Sequence, residues 1–185
     1  FTRLVRESPA VDQRSGVSAR FAIACVEALA GAAVRRAALS GEDCPVARIG
    51  DLAEVVPTLR GKVEFDVGEE GREDDTLQLL ARRATADAWR THLGGGDVRP
   101  TLTALVAWFD EGNALDTGDA VPALDILKAV GPIEGLGRLV STLEPDMAES
   151  EGLVAACLEF AVEGLWLTRR IDKDWVDGRS RYAGS

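Results

Sequence analysis

The chain has 185 residues, 46% of them hydrophobic, and carries 31 acidic against 21 basic side chains for a formal net charge of −10. That apolar content suffices for a buried core and excludes an intrinsically disordered chain. The acidic balance argues against a sequence-independent grip on nucleic acid, which needs a basic surface. Three dispersed cysteines, Cys25, Cys44 and Cys157, and one histidine, His92, argue against a zinc centre, so no metal ligands are assigned. No run approaches the roughly 18 apolar residues of a membrane span, and unpatterned thiols fit a cytoplasmic protein. Phe1-Thr2-Arg3-Leu4 contains neither an initiator Met nor a signal-peptide core, which reads as a piece of a longer chain.

Residues 1–17 are polar and irregular, broken by Pro9 and Gly16. Ser18 is the N-cap of a long helix that runs from Ala19 to about Leu39 and stops at Ser40-Gly41. Its Phe21, Ile23, Ala24, Val26, Ala28, Leu29 and Val34 call for close packing on more than one side. Ser15-Gly16-Val17-Ser18-Ala19-Arg20 is the most informative stretch. An arginine in a first turn adds charge where the helix already carries partial positive charge, and a phosphate is the natural compensation at that place.

Pro45–Ile49 is extended, and Asp51 caps a second helix to about residue 60, in which Pro57 is disposed to end or kink it. Val63-Glu64-Phe65-Asp66-Val67 alternates apolar and acidic residues, as a short strand or an extended linker does. The acidic, glycine-containing segment 61–75 joins two units, 1–60 and 76–185. Its acidic end leads a helix carrying Leu77, Leu79, Leu80, Ala84, Ala88 and Trp89, which stops at Gly94-Gly95-Gly96.

Further helices are expected over 97–111, 120–130, 136–143 and 152–167, the last the most apolar. The polar tail, Arg169 to Ser185, is expected to fray, with Trp175 able to dock. The fold class is therefore all-α with at most one short β element.

Gly16-Val17-Ser18-Ala19-Arg20-Phe21, the Ala-rich helix to Ala38, then Asp51-Leu52, Val56-Pro57 and Leu59-Arg60 form one layout. It resembles the end of the helical lid in AAA+ ATPases of the magnesium-chelatase and MoxR group, where a Ser-x-Arg opens a long small-residue helix. Val11-Asp12-Gln13-Arg14, Arg60-Gly61-Lys62-Val63-Glu64 and Glu69-Glu70-Gly71-Arg72-Glu73 look closest to bacterial magnesium-chelatase-like members. The resemblance extends to about residue 73; residues 76–185 match no motif of that group.

The resemblance implies that Arg20 is the sensor-2 arginine, catalytic and nucleotide-binding, reaching the γ-phosphate of ATP with its Mg²⁺. Arg14 is a second candidate for a phosphate or intersubunit contact. Implied partners are an upstream AAA+ core, neighbouring subunits in a ring (a hexamer) and a protein bearing a von Willebrand factor A domain. The 76–185 unit would serve as the docking domain for partner or substrate.

The sequence departs from the group in lacking G-x-x-x-x-G-K-[ST], since Gly61-Lys62 precedes Val63, and in lacking a Walker B strand. The nucleotide core is therefore expected upstream of Phe1, and this chain is not expected to hydrolyse ATP alone.

Plainer readings stand beside these. In an all-helical interaction module with no nucleotide role, the Arg20 segment is only a helix start. The acidic run from Glu69 to Asp75 lacks calcium-loop spacing and reads as a solvated helix start. His92 has no Cys or Asp neighbour in sequence, and Ser15 and Ser18 have no base within reach. Trp89, Trp108, Phe109 and Trp166 lie on apolar helix faces and read as core.

Overall fold

The computed structural model describes residues 1–146 and 150–185. Among the described residues the chain forms α1 (Thr2–Glu7), α2 (Ala19–Ser40), α3 (Asp51–Arg60), α4 (Glu73–Leu93), α5 (Arg99–Asp110), β1 (Ala114–Thr117), α6 (Ala123–Val130), α7 (Leu136–Leu143), α8 (Glu151–Leu167), β2 (Asp172–Val176) and β3 (Arg179–Ala183). The strands make one antiparallel sheet in the order β1-β3-β2. The all-α expectation is thereby corrected: the fold is mostly helical but mixed, and the tail expected to fray is a β-hairpin.

The hairpin turns at Asp177-Gly178, both at positive φ (50° and 77°), the geometry that lets a two-residue turn follow the twist of its strands. Register aligns Leu115, Tyr182 and Lys173 in one row and Thr117, Ser180 and Trp175 in the next. These rows share a face, because side chains alternate across a strand. On the other face Arg181 forks onto Asp116, with Nε–Oδ1 at 2.8 Å and Nη2–Oδ2 at 3.0 Å. β2 is almost wholly exposed, so it carries no apolar alternation by which sequence could reveal it.

α2 begins after Ser18 and ends at Gly41, whose left-handed backbone (φ 69°) closes the last turn. Pro57 lies within α3, and the expected cap is corrected: the N-cap position is Gly50, which has no side chain. Asp51 is the first helical residue, its carboxylate accepting from the Arg48 N–H at 2.7 Å. The alternating segment 63–67 forms only an isolated bridge, Val11 to Phe65, before a 3₁₀ turn at Val67–Glu69.

Among the described residues two large apolar clusters hold the molecule, beside a small one of Val140, Leu153 and Cys157. Val5, Phe21, Cys25, Val56, Leu59, Val63, Leu77 and Leu80 form one; Trp89, Leu93, Leu105, Phe109, Leu115, Ile126, Leu158 and Tyr182 belong to the other. α4 enters both, with Leu77 and Leu80 at its start and Trp89 and Leu93 at its end. α8 is buried along nearly its whole length and packs against α4, α6 and α7.

Trp89 donates its indole N–H to the carbonyl of Ala161 at 3.2 Å and lies flat against Gly164, where a Cβ would sit 1.9 Å from the ring. Only a residue without a side chain permits that approach. Gly164→Ala is therefore expected to lower stability by about 1–3 kcal/mol through overpacking, read as a drop in the denaturant midpoint. An unchanged midpoint would show that the α4–α8 contact is not tightly packed.

Candidate functional site

Arg20 stands in the first turn of α2, which contains no acidic residue, and Ser18 makes no side-chain cap bond. The Arg20 side chain is exposed and forms no ion pair among the described residues. Gly16, at φ 68°, turns the chain into this start, and its N–H donates to the Asp12 carbonyl at 3.0 Å. Arg14 lies on the same segment but folds back on Asp12, with Nε–Oδ1 at 3.1 Å and Nη2–Oδ2 at 2.9 Å. Those bonds to Arg14 hold the Asp12 carboxyl below its usual pKa and raise that of the guanidinium. The segment thus presents one unpaired cation and one satisfied cation.

At the far end of α2 the chain buries charge. Arg36, 1% exposed, forks onto Asp51, with Nη2–Oδ2 at 3.1 Å and Nε–Oδ1 at 3.4 Å. It also donates to the Val46 carbonyl at 2.6 Å and to Glu42 at 3.2 Å. Arg48 donates through its backbone N–H to Asp51 at 2.7 Å and through its side chain to Glu42 at 2.6 Å. Two further bonds leave this group for the second apolar cluster: Arg48 Nη1 donates to the Val121 carbonyl at 2.8 Å, and Glu42 accepts from the Ala123 N–H at 2.8 Å. Arg35 pairs with Asp119 beside them.

Glu159, from the middle of α8, completes the group, its Oε1 lying 3.3 Å from Arg48 Nη1. Neither that oxygen nor Arg48 Nε has a hydrogen-bond partner among the described residues. Burial raises Glu159 from the usual 4.5 to about 7, against the opposing pull of Arg48 and Arg36. One turn along α8, Glu163 accepts from Lys173 Nζ at 2.7 Å and from the Tyr182 hydroxyl. Desolvation and Glu163 push the Tyr182 hydroxyl well above its ordinary pKa, so it acts as a donor. Lys173 Nζ lies between the Trp166 and Tyr182 rings, 4.8 and 4.9 Å from their centroids.

These groups wall a cavity of about 260 Å³ between α3, α8 and the inner face of the sheet, with Trp175 also in its wall. A groove of about 440 Å³ shares Ile49, Ala53, Glu163, Lys173, Trp175 and Ser180 with it. The groove adds an apolar wall of Leu52, Val56, Ala81 and Trp166.

Sequence reading singled out Arg20 and Arg14 and missed this cluster. Its signal was present as Glu159 and Glu163, two acids one turn apart inside the most apolar helix, where an unpaired charge is costly. Other candidates stay apart from it. His92 is exposed in the last turn of α4; Glu69 accepts from Thr76 at 2.9 Å, and Glu73 from Arg60 at 3.2 Å. Among the described residues there is no group of three or more His, Cys, Asp or Glu able to hold a metal ion. None of their helices is long and apolar enough to cross a membrane. Burial pushes the Cys157 thiol up to about 11 and raises Cys25, the opposite of an activated nucleophile.

No known protein family, curated protein or solved structure matches the chain.

Removing one partner from a buried pair strands the other, so Arg36→Ala is expected to lose about 3–5 kcal/mol of stability. Arg36→Met combined with Asp51→Leu should recover most of it in a denaturant titration. Glu159 binds its proton more tightly folded than unfolded. Its contribution is therefore full below about pH 4.5 and fades as pH rises through about 7. The stability difference between wild type and Glu159→Gln should shift against wild type across that window; a flat difference would mean that Glu159 is not so perturbed.

Proposed function

We propose that this chain is the C-terminal portion of a magnesium-chelatase-like AAA+ ATPase, with Arg20 as its sensor-2 arginine. The observation that carries the reading is the unpaired, exposed guanidinium of Arg20 in the acid-free first turn of α2. Arginine at that position is electrostatically unfavourable without an anion. Its planar fork suits the oxygens of a terminal phosphate. The Ser-x-Arg opening and the second helix beginning at Asp51 in the lid-like layout support the same reading. Arg14, held by Asp12, serves the segment's shape rather than the nucleotide in the state described.

In this reading ATP and Mg²⁺ bind in a core encoded upstream, and Arg20 completes the site from the lid side. Bound nucleotide supplies the phosphoryl group; Arg20 stabilises the charge that develops on it during transfer. The sequence has no phosphate-cradling loop, so the isolated chain would be inactive. The parent would assemble as a cytoplasmic ring, hexameric by the resemblance, and work with a partner bearing a von Willebrand factor A domain. The sheet-bearing unit after residue 76 would be its docking domain.

A second reading, an interaction module without nucleotide, is favoured by one observation. Ile23, Val26 and Val34 are exposed along one side of α2, an apolar face available to a neighbour.

One experiment separates the two. The residues encoded before Phe1 should include a phosphate loop and a Walker B strand. In that longer protein Arg20→Ala should leave ATP affinity within a few-fold and slow hydrolysis by about tenfold or more. Unchanged turnover, or the lack of any such core, refutes the ATPase reading and leaves the interaction module.

A further inference from the structure

The cavity under the sheet has a charge balance that the nucleotide reading does not use. The buried cluster and cavity walls contain three cations, Arg36, Arg48 and Lys173, and four carboxylates, Glu42, Asp51, Glu159 and Glu163. Asp119, on the wall, is cancelled by Arg35. Arg36 is taken by Asp51, Glu42 and the Val46 carbonyl; Arg48 by Glu42 and the Val121 carbonyl; Lys173 by Glu163. One net negative charge remains over the group, and Glu159, 2% exposed, is its least satisfied member: its Oε1 shares Arg48 at 3.3 Å with Glu42 and accepts no hydrogen bond.

We propose that this cavity binds a small organic cation, an alkylammonium or alkylguanidinium group, held by Glu159 with the Trp175 indole against it. A buried acceptor lacking a donor is costly, and a cationic N–H donor satisfies both its charge and its lone pair. The indole adds an attractive face for a cation. The alkyl part then follows the adjoining groove along Leu52, Val56 and Trp166. An anion is disfavoured because the group already holds one more carboxylate than cation and each guanidinium faces carboxylates. A metal ion is disfavoured because the described residues offer no ligand set for one.

The test is titration of the protein with n-butylammonium chloride and, separately, with a terminally blocked peptide containing one lysine. Sodium chloride and sodium butyrate serve as controls. Binding is read from the Trp175 indole resonance and from ligand-observed NMR. Saturable binding of the free amine assigns the site to a small molecule; binding of the peptide alone assigns it to a lysine side chain. Either supports the proposal.

Arg36, Arg48, Asp51, Glu163, Lys173 and Tyr182 face Glu159 from the surrounding elements. Only the carboxylate form of Glu159 attracts a cation, so affinity should rise from about pH 6 to about pH 8 and then level. Glu159→Gln should weaken binding about tenfold or more and remove that pH dependence. Trp175→Ala, at a residue 69% exposed and so harmless to folding, should weaken it several-fold. Butyrate binding as well as butylammonium, equal affinity in a folded Glu159→Gln variant, or no saturable response beyond sodium chloride would each overturn the proposal.

Discussion

The ion pair between Arg36 and Asp51 is the contact on which the arrangement of this molecule depends. It joins the last turns of α2 to the first residue of α3 across a link, Gly41–Gly50, that has no regular structure of its own. The link's shape comes from donors and acceptors converging on those two side chains: the Val46 carbonyl, the Arg48 N–H and the Glu42 carboxylate. Such a pair adds little net stability, since desolvation offsets attraction. It does make every alternative placement of the helices expensive, because each would leave a charge buried alone. The same cluster reaches Val121 and Ala123, so α6 and the start of the second apolar cluster are positioned by it too.

That geometry gives α2 two unlike ends. Arg20 is free at one end and Arg36 is fixed at the other, separated by roughly 24 Å of rod at the helical rise. A helix does not compress, so a tilt imposed at Arg20 by an anionic ligand would reach the charge cluster as a tilt there. The cluster is bonded to both apolar units. The free arginine and the second unit are therefore joined through α2 and the charge cluster.

The helices were legible in the sequence because long apolar or Ala-rich runs are bounded by glycines and polar breakers. α2, α4 and α8 begin near their expected starts, but the apolar positions are not all buried. Ile23, Val26 and Val34 of α2 and Leu79 of α4 are exposed, so α2 is not packed on every apolar side as expected. The sheet was not legible for the converse reason. β1 is four residues long, β2 is exposed, and β3 buries chiefly Tyr182, so hydrophobic alternation is absent. What remained was Asp177-Gly178, a turn signal without recognisable strands on either side. Of the candidate site residues, Arg20 stood out because it contradicts the helix dipole locally. Arg36, Arg48 and Glu159 did not, since their pairing joins residues far apart in sequence, and only the folded chain shows that the charges meet.

The sheet also sets an order of events during folding. β1 has one partner, β3, and the fork between Asp116 and Arg181 spans 65 positions. β2 pairs with β3 through a tight local turn, whereas β1 must wait for a large loop to close. On a ribosome, therefore, β1 emerges and remains a bare edge while α6, α7 and α8 are still being made. Leu115 and the unpaired strand edge are exposed over that interval, a window in which a holdase or a neighbouring nascent chain has more access than it will have again.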